Sequence, residues 1–173
     1  MKILVDADSC PREAREMILR FSSRLGIKTI FAANRPIPGI RQVPRNPQNP
    51  EIRKNPGAPQ EMVVMEICPP GEGSADRRIA ELAEKGDLAV TRDVPLAEKL
   101  VEAGIIVLDD RGRVFTRENI RELRSLRDFA VGLADNGMET ERTASYGKKE
   151  LNIFANSLDR EITRLRGNGS GSV

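Results

Sequence analysis

The chain has 173 residues, with 28 Lys+Arg against 26 Asp+Glu, a net charge of +2 and no histidine. The missing histidine excludes Ser-His-Asp and Cys-His nucleophile systems, imidazole general bases and His-containing zinc sites. The two cysteines, Cys10 and Cys68, are too few for a structural zinc site or an iron–sulfur cluster, which leaves carboxylates, hard metals, Lys and Arg electrostatics and the thiols. The thiols lie far apart in sequence and read as those of a reduced compartment. Asp6 breaks any signal-peptide apolar core, and no apolar run approaches about 18 residues, so a cytoplasmic protein without a membrane span is expected.

Ile3, Leu4 and Val5 form an apolar run that stops at Asp6, which predicts a short buried strand. Pro11 stands where a helix can begin. Ala14, Met17, Ile18, Phe21 and Leu25 follow at offsets of 0, 3, 4, 7 and 11, one helical face closed by Gly26. Residues 27–33 predict a second strand. Residues 34–60 carry Pro36, Pro38, Pro44, Pro47, Pro50, Pro56 and Pro59, a density that suits neither ladder nor helix and predicts a long irregular loop.

A third strand is expected over 62–67, then a turn at Pro69-Pro70-Gly71 and a helix over about 74–85 with Ile79, Leu82 and Ala83 inward. Leu88, Ala89 and Val90 predict a fourth strand running into Thr91-Arg92-Asp93. Pro95 opens a helix bearing Leu96, Leu100 and Val101. Residues 105–108 predict a fifth strand that stops at Asp109-Asp110. Thr116 is the expected N-cap of a helix with Ile120, Leu123 and Ala130 inside. A loop over 135–147 precedes a last helix over about 148–166, with Leu151, Phe154, Leu158, Ile162 and Leu165 on one face. The expected organisation is one domain over 1–166 and a flexible tail over 167–173.

Alternating strands and helices imply an α/β fold, a three-layer α/β/α sandwich around a mostly parallel sheet of about five strands. Ligands of such sheets bind at the carboxyl ends of strands. Asp6 and Asp8 follow the first strand, Asp93 the fourth, Asp109 and Asp110 the fifth, and Asp76 opens the mid-chain helix. Gathered carboxylates repel one another unless a proton or cation sits among them, and oxygen-only ligands suit Mg²⁺ or Mn²⁺. Each acid also has a structural alternative. Asp8 or Ser9 would cap the first helix, Asp93 the helix of Pro95, Asp76 would complement a helix dipole, and Asp109-Asp110 would be a solvated turn. Asp6, directly after a buried strand, is poorly placed for capping.

The opening Lys2-Ile3-Leu4-Val5-Asp6-Ala7-Asp8-Ser9-Cys10-Pro11 resembles that of the YaiI/YqxD family. So do Ala75-Asp76-Arg77-Arg78-Ile79-Ala80-Glu81-Leu82-Ala83 and the stretch from Gly86 to Ala97 with its Val90-Thr91-Arg92-Asp93, and so does Arg111-Gly112-Arg113-Val114-Phe115-Thr116 with Asn119-Ile120. That family is similar to the PIN-like nucleases. The resemblance implies Asp6, Asp76 and Asp93 as metal ligands and catalytic residues, with Thr91 steadying them. Asp8 is implied by the YaiI/YqxD opening, and Asp109 or Asp110 is the nearest candidate for a fourth PIN acid.

Arg77, Arg78 and Arg92, beside the expected site, are placed to meet a phosphate, and Arg111 and Arg113 are further candidates for nucleic-acid contact. Arg117, Arg121 and Arg124 form a stripe at offsets 0, 4 and 7 that reads as a solvated helix face. Cys10 lies beside a helix N-terminus, which would lower a thiol pKa, although packing is its expected role. The expected function is metal-dependent phosphodiester hydrolysis, with RNA as the nucleic-acid partner and Mg or Mn as cofactor. Asp6, Asp76 and Asp93 would hold the metal, with Asp8 and Ser9 in support. Two alternatives stand beside it. One is a non-catalytic PIN-like module that binds nucleic acid or protein. The other is a haloacid-dehalogenase-like phosphatase with Asp6 as nucleophile.

Overall fold

The computed structural model describes residues 1–38, 40, 62–71, 73–135 and 146–169. In the first strand, β1 (Ile3–Asp6), Ile3 and Val5 face one apolar cluster and Leu4 faces another. A strand that is apolar on both faces needs cover on both, and that requirement makes a layered fold. The helix α1 (Arg12–Leu25) and the strands β2 (Thr29–Ala33) and β3 (Val63–Ile67) follow. Next come α2 (Ser74–Leu82), β4 (Leu88–Val90), α3 (Val94–Glu102), β5 (Ile106–Leu108) and β6 (Val114–Phe115). The chain continues into α4 (Ile120–Asp135) and α5 (Lys148–Gly169).

The strands form one sheet in the order β3-β2-β1-β4-β5-β6. Every neighbouring pair is parallel except β5 with β6. On one face, Ala14, Ile18 and Phe21 of α1 and Phe154, Leu158 and Ile162 of α5 pack with Ile3, Val5, Phe31, Met65 and Val90. On the other, Ile79, Leu96, Leu100 and Ile120 from α2, α3 and α4 pack with Leu4, Ile30, Ala89 and Val107. The three-layer α/β/α expectation therefore holds, with burial of apolar side chains on both faces as its main driving force.

Three local readings are corrected. The sheet has six strands rather than about five, because Val114–Phe115 adds an antiparallel edge too short to show periodicity. Thr116 stands at the expected N-cap: its carbonyl oxygen accepts from Ile120 N at 3.0 Å, its Oγ1 accepts from Asn119 N at 3.3 Å and Asn119 Oδ1 accepts from Thr116 N at 2.9 Å, the reciprocal pattern of a capping box ahead of α4. The helix expected to about residue 85 ends at Leu82, since Asp87 Oδ2 accepts from Glu84 N at 2.9 Å and turns the chain into β4. Finally, α5, expected to about residue 166, runs to Gly169. Residues 41–60 of the proline-rich stretch, 136–145 of the loop before α5, and 170–173 lie outside the described residues.

One feature of the topology positions the site. From β1 the chain winds outward through β2 to β3, and from β4 it winds the other way through β5. Since β1 and β4 are adjacent, the crevice beyond their carboxyl ends is the switch point of a doubly wound sheet, where ligands of such folds bind.

Candidate active site

Asp6 ends β1 and is 5% exposed, so its carboxylate must find partners inside the fold. Its Oδ2 accepts from Ser9 Oγ at 2.6 Å and from Thr91 Oγ1 at 2.9 Å. Thr91 is the first residue after β4, and its Oγ1 accepts in turn from Asp93 N at 3.0 Å. Ser9 Oγ accepts from Arg92 N at 3.4 Å. These contacts lace the ends of β1 and β4 together through side chains. Asp93 is the N-cap of α3, its Oδ1 accepting from Leu96 N at 2.7 Å. The capping alternative is thus real for Asp93. It fails for Asp8 and Ser9, since Pro11 holds the N-cap position of α1 without a side-chain bond.

Asp8 serves the neighbouring strand instead. Its Oδ2 accepts from Asn34 N at 2.8 Å, just beyond β2. Asn34 Oδ1 accepts from Ser74 Oγ at 2.7 Å, and Ser74 opens α2. The residue before it, Gly73, has φ +69, a left-handed turn that a side chain would strain, and it starts α2 close to Asp76. Asp76 lies in the first turn of α2, where the helix dipole favours an acid.

Asp6, Asp8, Asp76 and Asp93 line one open pocket of about 440 Å³, together with Ser9, Asn34, Gly73, Ala75 and Arg92. The carboxylates feel one another. Burial first, then the charges of Asp6 and Asp93, push the Asp76 carboxyl up to about 6; Lys99 opposes the shift and Asp8 adds to it. Sequence spacing alone could not show this convergence, which follows from the adjacency of β1 and β4.

The donor set is hard oxygen, the chemistry that suits Mg²⁺ or Mn²⁺. Among the described residues, no group of three or more acids or thiols stands close enough to hold an ion by itself. Mg²⁺ commonly keeps several waters and takes only one or two carboxylates, so the residues fit a hydrated ion rather than an all-protein cage.

Other expected residues fall elsewhere. Asp109 Oδ1 accepts from Arg111 N at 2.9 Å and Arg113 N at 2.8 Å, a buried turn rather than a solvated one. Asp110 is 1% exposed and lies behind Arg92, 2.8 Å from its Nε. Neither Asp109 nor Asp110 lines the pocket, so neither is placed as its fourth acid. Arg77 and Arg78 line a smaller pocket of about 220 Å³ with Pro69, Pro70, Ser74 and Glu81. Arg78 there pairs with Glu66 and with Glu81. Arg113 lies 3.8 Å from Asp109, and Arg111 stacks 6.0 Å from the Tyr146 ring. Arg124 pairs with Glu98, which suits the solvated-face reading of its stripe.

Of the expected arginines, only Arg92 reaches the acidic pocket. Asn34 was missed because it falls in the proline-rich stretch, and its partner Ser74 is 40 positions away. Cys10 is buried, and desolvation together with Asp110 pushes its thiol up to about 12, so the helix terminus does not activate it. Both cysteines are free thiols. No helix among the described residues is long and apolar enough to cross a membrane.

An open α/β sheet with acids at its switch point defines the class. The particular family follows from sequence comparison. The family described as "Uncharacterized BCR, YaiI/YqxD family" matches residues 4–164. The chain is similar to a UPF0178 protein of Treponema denticola, 45% identical over 164 residues that cover 95% of this chain and 93% of the relative. A UPF0178 protein of Myxococcus xanthus is 41% identical over 165 residues, 95% of this chain and 96% of the relative. One from Treponema pallidum is also 41% identical, over 95% of this chain and 83% of the relative. The chain belongs to the YaiI/YqxD family. No solved structure gives a significant match.

Proposed function

We propose that this chain is a metal-dependent phosphodiesterase of PIN-like type whose substrate is RNA. The observation that carries the reading is the meeting of Asp6, Asp8, Asp76 and Asp93 in one pocket at the switch point. Mg²⁺ or Mn²⁺ bound there would offset charge that develops on the phosphodiester. Asp6 commits Oδ2 to Ser9 and Thr91, and Asp93 commits Oδ1 to the α3 cap, so on this reading the second oxygen of each would hold the cation. Thr91 ties both acids to one hydroxyl and fixes their relative orientation. Asp8 and Asp76 line the same mouth, and on this reading they would orient the attacking water and hold its proton. Arg92 is the cation of the pocket lining and meets the phosphate. The free thiols suit a reducing, cytoplasmic setting.

The test is Mn²⁺-dependent cleavage of a 5′-labelled single-stranded RNA by wild type, Asp6→Asn and Asp93→Asn. Losses of about 100-fold in each variant are expected. Equal cleavage by all three overturns the reading. That no closed group of three acids stands among the described residues favours a second reading, a binding module without catalysis. Salt-sensitive RNA binding with no Mn²⁺ uptake by titration calorimetry would select it.

A further inference from the structure

Asp110 is an anomalous carboxylate among the described residues. It is 1% exposed, and neither of its oxygens has a hydrogen-bond partner. Buried polar atoms are normally satisfied, so an orphaned carboxylate asks for a reason. Burial and Asp109 oppose its ionisation, while Arg92 is the leading charge that favours the carboxylate, with Arg111 adding to it. Arg92 Nε lies 2.8 Å from Asp110 Oδ1, and the Arg92 side chain is 40% exposed. The contact is an ion pair without hydrogen-bond alignment. The other neighbours close the chamber. Cys10 is buried beside it, and Tyr146 Oη donates to the Asp110 carbonyl oxygen at 2.9 Å. Asp110 therefore meets the Arg92 side chain from the buried side, and Arg92 also lines the acidic pocket.

An arginine on the rim of a four-acid pocket has an obvious alternative. Untethered, its guanidinium would fall onto Asp6, Asp76 or Asp93, neutralise them and occupy the space meant for a cation. The buried charge of Asp110 competes for it from behind. We infer that Asp110 is a positioning residue that holds Arg92 back at the rim, keeping the pocket acids open and presenting the guanidinium to a substrate phosphate. The inference deepens the proposed phosphodiesterase reading and rests on it for the identity of the anion. It gives Asp110 a role distinct from that of a fourth ligand. A carboxylate behind the arginine acts through the arginine, and a ligand would act on the cation directly.

The experiment is a double-mutant cycle on Asp110→Asn and Arg92→Ala, read by binding of a short single-stranded RNA in Ca²⁺, with crystals of Asp110→Asn as a second readout. Asp110→Asn is expected to bind RNA about tenfold more weakly and to add no loss in the Arg92→Ala background. In its crystals the Arg92 guanidinium is expected within 4 Å of Asp6, Asp76 or Asp93, the ordinary ion-pair distance. Wild-type affinity in Asp110→Asn, or an equal loss in the Arg92→Ala background, overturns the inference. If the wild type binds no RNA, the substrate reading fails, and the position of Arg92 in the Asp110→Asn crystals then decides the tether alone. An unmoved Arg92 overturns it. Should Asp110→Asn not fold, Arg92→Lys with Asp110 intact takes its place. That variant keeps the charge but loses the planar fork, and an RNA affinity equal to wild type would overturn the clamp.

Discussion

Thr91 Oγ1 and Asp6 Oδ2, 85 positions apart in sequence, meet at 2.9 Å where β1 and β4 end side by side. The same hydroxyl accepts from Asp93 N, so one oxygen atom couples two of the pocket acids. Replacing Thr91 by Val keeps the shape and deletes both bonds, leaving the buried Asp6 with one hydroxyl partner. Thr91→Val is expected to lower stability by about 1–3 kcal/mol in urea unfolding, with Thr91→Ser near wild type.

Asp76 sets a pH dependence. Its carboxyl is raised from 3.8 to about 6, so the folded state resists its ionisation more than the unfolded chain does. Its favourable contribution is complete below pH 3.8 and is lost as pH rises through about 6. The melting temperature of the metal-free protein is expected to show a falling component across that window, and Asp76→Asn to remove it. A profile unchanged by Asp76→Asn would show that the shift comes from another group.

The same charges predict a response to divalent ions. At pH 5 Asp76 is largely protonated, and at pH 7 it is largely ionised among Asp6, Asp8 and Asp93. On the proposed reading, millimolar Mn²⁺ raises the melting temperature more at pH 7 than at pH 5, and chelation with EDTA reverses it. Equal shifts at the two pH values would place the ion elsewhere.

Asp93 has separable duties. Its Oδ1 caps α3, and its carboxylate also lines the pocket. Asp93→Ala is expected to cost about 1 kcal/mol of stability, while Asp93→Asn keeps most of the cap. Comparing the two by thermal melts and by RNA cleavage distinguishes the roles. Asp93→Asn should melt near wild type yet cleave far more slowly.

Gly112 marks the closest approach of the β5–β6 turn to α5. It has φ +85, and an added Cβ would lie 2.8 Å from the Ile153 carbonyl oxygen. That neighbour is backbone and cannot swing aside. Gly112→Ala is expected to destabilise by about 2 kcal/mol or more in chemical denaturation, combining backbone strain with overpacking.

Much of the fold was legible from local pattern. Ile3 to Val5 and Leu88 to Val90 read as buried strands because they are short apolar runs bounded by polar or charged residues. The faces of α1 and α5 followed from helical spacing of Ile18, Phe21, Phe154 and Leu158, all of which are core residues. Weak or two-residue signals failed. Nothing local distinguishes Val114–Phe115 from a loop, because its strand character comes from pairing with β5. Thr116 read as a cap from its residue type alone, and its reciprocal bonds with Asn119 bear that reading out.

For the site, residue types and strand ends brought forward Asp109 and Asp110 as readily as Asp6, Asp8 and Asp93, and the family resemblance is what singled out Asp6, Asp76 and Asp93. The absence of histidine narrowed the chemistry to oxygen donors and arginine. Whether those acids would share one pocket depended on β1 lying next to β4, which long-range packing decides. The same packing sorted the arginines. Arg78 is drawn to Glu66, Arg113 lies by Asp109, and Arg92 alone stands between the acidic pocket and a buried carboxylate. Composition bounds which chemistry a chain can perform. Long-range strand order, driven by burial on both faces of the sheet, decides which of its charged groups meet.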